Sequence, residues 1–515
     1  MRRIHKKLGA ALLGGAILAG ATVPAIAAED GGIVIAQPVL RQQFDPTAVV
    51  ATTDFLVQDM LFDGLLNLTE SGITPALALS WNISNEGKHI DFKLREGVKF
   101  HNGDPFTSED VKFTFEKILS PESTHSYRKP FQAAMEGVEI LGPHEVRFVL
   151  KGPWPGFFTG ARNALISIAP KAYYEKVGAE AFQKAPVGTG PFKLSDIKAG
   201  EWTEFAANES YWDGAPKVKS VRKVLVKEPF TRYAMLTKGE ADVVMGVTGP
   251  LLDKIRSNGD LRIVSAKYSG TSALYFNKTS FPASHDVRVR RAFGYAINLK
   301  EISETILGGV CEPASSIATP GTFGHLPGLT PIPYDPAKSK QLLKEAGITD
   351  GLEVSYVLHT ESFGSLPNAP QALEAIAGNL EAVGIKVERK AMETGSFLQT
   401  YRGGKQPDVF YGPSSVPDDA SNTMDGWFLP TSVWSSGNVD VPEYVDIYKR
   451  QLVETDMEKR RAIIQEFVKL EDENHRAIPL FWCNTPFAVG PRIKNWSLGL
   501  GSGYHMNLDT LQLNN

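Results

Sequence analysis

Between Leu373 and Glu388 the chain spells out a complete α/β unit, and nothing else in it narrows the possible folds as much. Leu373, Ile376, Ala377 and Leu380 recur at the spacing that lines one face of a helix. Gly384 then stands where a helix end needs a residue free to turn left-handed. Ile385-Lys386-Val387-Glu388 alternates apolar and polar, as a strand with one buried face does. A helix turned tightly back into a strand packs as a layer on a sheet. Similar units recur along the chain. His89 to Arg95 alternates like a half-exposed strand, and Asn102-Gly103-Asp104-Pro105 reads as a turn. Thr107 can cap a helix reaching about Ile118, with Asp110 as its reciprocal partner. Asp286 can cap another, whose buried stripe is Val289, Ala292, Phe293, Ala296 and Ile297. Arg288, Arg290 and Arg291 are expected on its solvated side. No tandem repeat and no flexible linker interrupt this α/β pattern.

The N-terminus carries a different signal. Arg2, Arg3, Lys6 and Lys7 precede an almost wholly apolar run from Leu8 to Val23. Pro24 breaks the run, and Ala25-Ile26-Ala27 places small residues where a signal peptidase cuts. The run is short against the ~20 residues that a spanning helix needs. Residues 1–27 therefore read as a cleaved signal peptide and the mature chain as periplasmic. Roughly 490 residues remain, room for two or three domains at ~100–200 residues each. The net charge is −4, and removing four basic residues makes the mature chain more acidic. A mildly acidic surface argues against nucleic acid or an anionic membrane as partner. Cys311 and Cys483 are the only cysteines. An oxidising compartment permits a bridge between them, but two buried thiols are the expectation.

Catalytic patterns are sparse. There is no Gly-x-Ser-x-Gly elbow, no His-Glu-x-x-His and no Cys-x-x-Cys. Gly188-Thr189-Gly190 lacks the third glycine of a dinucleotide fingerprint and reads as a turn into the strand starting at Phe192. His101 and His475 are isolated and are expected to be structural; no metal or cofactor is called for. Glu471-Asp472-Glu473 is expected on a solvated helix face. Between 401 and 438 the pattern dissolves into Gly, Ser, Pro, Asn, Asp and aromatic residues, among them Ser414, Ser415, Asp418, Asp419 and Trp427. Polar groups mixed with aromatic surfaces in an irregular segment are the ingredients of a ligand pocket or of a packed surface loop.

One long series of motifs makes the chain recognisable. Leu77-Ala78-Leu79-Ser80-Trp81 leads through Phe92-Lys93-Leu94-Arg95 to Gly97-Val98-Lys99-Phe100-His101-Asn102-Gly103 and Pro105-Phe106-Thr107. Phe62-Asp63-Gly64-Leu65, Gly188-Thr189-Gly190-Pro191-Phe192, Asn208-x-x-Tyr211-Trp212, Gly239-Glu240-Ala241-Asp242, Asp286-Val287-Arg288 and Ala477-Ile478-Pro479-Leu480 complete it. In this order they resemble the peptide/nickel/opine class of ABC-transporter solute-binding proteins, family 5. The resemblance implies an α/β, two-lobed periplasmic binding protein fold (class II-like, cluster C) with an extra α/β domain. The first lobe would combine 28–66, 187–285 and 498–515, the extra domain would be 67–186, and the second lobe 286–497. Crossings near 285 and 497 would act as hinges.

It further implies a monomer that traps a small-molecule or short-peptide solute and docks on ABC permease subunits in the inner membrane, without catalysis. An exported hydrolase with its acidic pair in 411–419, or a sensing adaptor on the same fold, are the alternatives. Carried over, the solute site would include Thr52, Arg128, Thr248, Tyr275, Ser414, Ser415, Asp418, Asp419 and Trp427. The loop departs from the peptide-binding pattern of Trp, then Asp-Tyr, then Pro. Ser414 or Ser415 stands at the Trp; Pro417 or, with one insertion, Asp418 stands at the Asp; and no Tyr follows. A peptide, an opine, a sugar derivative, a modified amino acid and a metal chelate therefore all remain open as solute.

Overall fold

The computed structural model describes residues 31–49, 54–69, 72–126, 128–158, 166–349, 351–361, 366–402, 405–414, 419–430, 432, 441–498 and 506–514. The segment 1–27 expected as a signal peptide, Thr52, Ser415 and Asp418 lie outside the described residues, and Ser414 is described by its backbone alone. Among the described residues, no helix is long and apolar enough to cross a membrane.

The α/β pattern resolves into one mixed sheet of eleven strands among the described residues. From one edge its order is Ile385–Met392, Leu352–His359, Val409–Ser414, Arg262–Phe276, Ala477–Val489, Val243–Val244, Gly32–Gln37, Ser220–Leu225, Trp202–Ala207 and Phe192–Lys198, with Cys311–Pro313 beside Ala477–Val489. The unit read at 373–388 is present as a helix at Ala369–Ala382, a glycine at φ +97° and a strand at Ile385–Met392. That strand runs parallel to Leu352–His359 through the helix crossover.

Two long strands, Arg262–Phe276 and Ala477–Val489, belong to both halves of this sheet. Arg262 to Ala266 pairs with Val489 to Thr485, beside Val243–Val244. The register then slips, and Gly270 to Tyr275 pairs with Cys483 to Ala477, beside Val409–Ser414. The passage between halves thus falls at 267–269 and at 484, within paired strands, and not near 285 and 497. A continuous core covers one face of the whole sheet, from Val34 and Ala36 through Leu274 and Phe276 to Tyr356 and Tyr411. The opposite face carries two separate cores. One holds Ile33, Ile35, Phe205 and Phe487; the other holds Ala273, Tyr275, Phe410 and Val357.

A four-stranded antiparallel sheet, ordered Ala78–Ser84, His89–Leu94, Glu145–Leu150 and Met135–Gly142, forms the extra domain's centre. The helix Ser108–Leu119 covers it, and Thr107 and Asp110 form the expected capping box. Phe92, Phe115, Phe148 and Phe157 fill its core with tilted and edge-on ring pairs. Where the chain leaves and rejoins the first half on either side of this domain, it packs tightly at Gly188 and Gly190. A Cβ there would fall 1.9 and 2.5 Å from the backbone of Leu61, so the turn admits only glycine.

Three charged or polar groups expected outside or unpaired are inside. Arg290 is 1% exposed, not on a solvated face. Its guanidinium donates to the carbonyls of Ser284, His285, Asn474 and His475, which replace the water it leaves. Glu471 is likewise buried, accepting from the Tyr444 hydroxyl and from Ala477 N. Cys311 and Cys483 face each other across an antiparallel pair and are joined as a disulfide, not left as thiols.

Candidate functional site

Between the two separate cores, the sheet face carries polar groups. Thr271 shares its face with Ala273 and Tyr275, since side chains alternate along a strand. Across the ladder, Ser414, Thr271, Trp482 and Glu312 form one row. The Thr271 hydroxyl is buried and has no hydrogen-bond partner among the described residues. Such a group is costly unless something satisfies it. Trp482 donates from Nε1 to Ser316 O at 3.0 Å, and the rings of Tyr268 and His325 meet it edge-on at 6.0 Å. Neither Thr271 nor Trp482 was singled out from the sequence. The unpaired β-strand hydroxyl beside an aromatic residue becomes visible only once the register is known.

The other expected residues fall into two groups. Thr248 is half-buried on the turn after Val243–Val244. Gly249, next to it at φ +53°, lies so close to the second half that a Cβ would sit 3.0 Å from Asn368 Nδ2. Arg128 is half-buried at the start of the helix Arg128–Ala134 and donates to His125 O at 3.1 Å. His125 is buried, and burial followed by the Arg128 charge pushes its imidazole down to about 4. Ser126 N donates to Val49 O at 2.7 Å, which ties this loop to the segment leading to Thr52.

Tyr275, Asp419 and Trp427 are framework. Tyr275 is fully buried, and its ring stacks on Trp427 at 4.2 Å and 15°. Gly412 makes room for that stack, because a Cβ would lie 2.6 Å from the indole. Asp419 is 1% exposed and does not present a free carboxylate. It accepts from Ser421 N at the start of the helix Ala420–Trp427 and pairs with Arg460 at 2.7 Å. Arg460, equally buried, also donates to Gln451 Oε1 and Ser421 Oγ and lies over the Phe323 ring. Asp408 anchors the other end of the segment by accepting from Ser280 Oγ, Ser355 N and Ser355 Oγ. Among the described residues, no cluster of three or more His, Cys, Asp or Glu could hold a metal ion.

Residues 72–435 match the family model described as bacterial extracellular solute-binding proteins, family 5 middle. The chain belongs to that family. It is the solute-capturing component of an ABC importer. This solute-binding protein is 30% identical over 408 residues to the glutathione-binding protein GsiB of Salmonella typhi, covering 78% of this chain and 77% of that one. It is 28% identical over 429 residues to the di/tripeptide-binding protein 2 of Pseudomonas aeruginosa, covering 78% and 80%. Heme-binding protein A of Haemophilus influenzae is 26% identical over 494 residues, with 90% of each chain covered. Among solved structures, HbpA2 from Haemophilus parasuis superposes with a TM-score of 0.83 at 21% identity, covering 94% of this chain and all of that one. At that identity the superposition speaks for the two-lobed fold.

Proposed function

We propose that this solute-binding protein works in the periplasm after removal of residues 1–27 and captures a small, peptide-sized organic solute between its halves. The observation that carries this reading is the polar row at Thr271 and Trp482, set in the gap between two apolar cores. Arg128, Thr248, Thr271 and Trp482 contact the solute, and Thr52, Ser414, Ser415 and Asp418 join them by the family resemblance. Tyr275, Asp419 and Trp427 hold that arrangement from behind. The loaded monomer docks on the permease and performs no chemistry on its cargo.

Glutathione and short peptides head the candidates, because relatives named for them share more than a quarter of their residues with this chain over three quarters of its length. The test is a thermal-shift screen of ligand-stripped protein against reduced glutathione, di- and tripeptides, opines, heme and nickel chelates. A true solute at 100 times its dissociation constant stabilises the fold by about 2.7 kcal/mol and is recovered unchanged. A screen without any stabilising compound, or one that yields a converted product, would sink the proposal.

A further inference from the structure

The strands joining the two halves contain one residue in a backbone conformation that its side chain resists. Tyr268 has φ +51°, the left-handed region that L-residues avoid because Cβ crowds the next carbonyl. Six non-glycine residues have positive φ among the described residues, and the other five lie at turns, helix ends or the C-terminal segment. Tyr268 alone lies inside a strand, where the Arg262–Phe276 ladder slips register between Ala266 and Gly270.

The groups that hold it there belong to the second half. Asn484 Oδ1 accepts from Tyr268 N at 2.9 Å, and Asn484 N donates to Val310 O at 2.9 Å. The neighbouring Cys483 is bonded to Cys311. The Tyr268 ring meets Trp482, and its hydroxyl bonds to Glu312. The two residues before it belong to the first half's ladder or its end. A rotation of one half against the other therefore turns about the Tyr268 backbone.

In the arrangement described, the halves touch. On the face opposite the gap the shared core is continuous, with Gly249 against Asn368 and Gly308 against Leu252. At the far side, a Cβ on Gly156 of the extra domain would be 3.5 Å from Arg460. Tyr268 is thus left-handed in the closed arrangement. We propose that Tyr268 is a positioning residue for solute capture: its backbone is cocked when the halves close and relaxes when they part. Closure is opposed by that conformation, caught by Asn484, and kept reversible for release to the permease. This rests on capture by closure between the halves.

The test needs no identified solute. Nitroxide labels on cysteines replacing Glu136 in the extra domain and Lys449 in the second half report the distance between them by double electron–electron resonance. Glycine has no Cβ to crowd, so Tyr268→Gly should raise the closed-to-open ratio of unliganded protein about 5- to 30-fold. Asn484→Ala removes the catch and should shift the population toward open. Thermal melts identify variants that remain folded, and Tyr268→Phe, which retains the Cβ, should keep the wild-type distribution apart from loss of the Glu312 bond. A two-state wild type whose populations neither Tyr268→Gly nor Asn484→Ala moves overturns the role of Tyr268. A wild type with one distance, unchanged by every compound of the screen, overturns closure itself.

Discussion

The extra domain meets the two halves of the molecule in different ways. Against the first half it shares a core: Phe113, Tyr174 and Phe182 pack with Ile33, Ile35 and Phe62. A polar hub of the first half borders the same seam: Asp63 accepts from Thr189 Oγ1, Tyr211 Oη and Trp212 Nε1, each at 2.8 Å, and Arg95 of the extra domain lies over the Trp212 ring. Nearby, Tyr174 Oη donates to Asp45 at 2.6 Å. Against the second half there is a 280 Å³ cavity lined by Trp81, Ile83, Trp154, Phe158 and Met457, among others. Gly156 approaches Arg460 there without any shared core. A seam with fused packing and directional hydrogen bonds moves as one body, whereas a cavity between preformed walls can open with little loss of dispersion contact. The extra domain therefore travels with the first half.

The largest expected effect is at Arg460, which bonds to Asp419, Gln451 and Ser421 of the second half. Arg460→Met removes the cation from the buried Asp419 carboxylate, which should cost roughly 3–5 kcal/mol. If the seam comparison is right, denaturant melts should show the second half unfolding first, ahead of the remainder. A single transition shared by all parts would break the comparison. Asp63→Ala should come next, at roughly 2–3 kcal/mol for lost charged hydrogen bonds. It should loosen the first half and the extra domain together, which hydrogen exchange would report at Tyr211 of the first half and Arg95 of the extra domain alike.

Glu471 sharpens the picture through pH. Burial pushes its carboxyl up from 4.5 to about 8, against the Tyr444 and Ala477 hydrogen bonds that favour the ionised form. The folded state then holds a proton that the unfolded chain releases. Its contribution is complete below about 4.5 and is lost as pH rises through about 8. Relative to Glu471→Gln, the urea midpoint of the wild type should fall from pH 5 to pH 8, beyond the slope both proteins share from buried histidines such as His125. An equal slope in both proteins would show that Glu471 does not retain the proton.

Local chemistry made much of this legible. Asp286 caps its helix, and Val289, Ala292, Phe293 and Ala296 are its buried stripe, as their spacing requires. Arg290 sits on the flank of that stripe, one turn before Phe293. Its burial depends on carbonyls of Asn474 and His475 from a distant segment, which no periodicity reports. Asp419 and Arg460 show the same limit. A short acidic loop residue could face solvent or solute, and only the docking of the helix Met457–Asn474 turned it inward. Thr271 carries no signal in the sequence, because an isolated strand threonine is distinguished only by its neighbours across the ladder.

By itself, the order of residues determined the α/β units, their caps and glycine turns, and membership of a two-lobed solute-binding family, because these depend on contacts within a few positions and on motifs kept in sequence. The tertiary structure alone decided which charged groups are interior, that Cys311 and Cys483 lie opposite each other, and that the halves meet at 267–269 and 484. Those outcomes depend on strand register and on partners nearly two hundred residues apart, where a single-residue slip would reverse every side chain between core and gap.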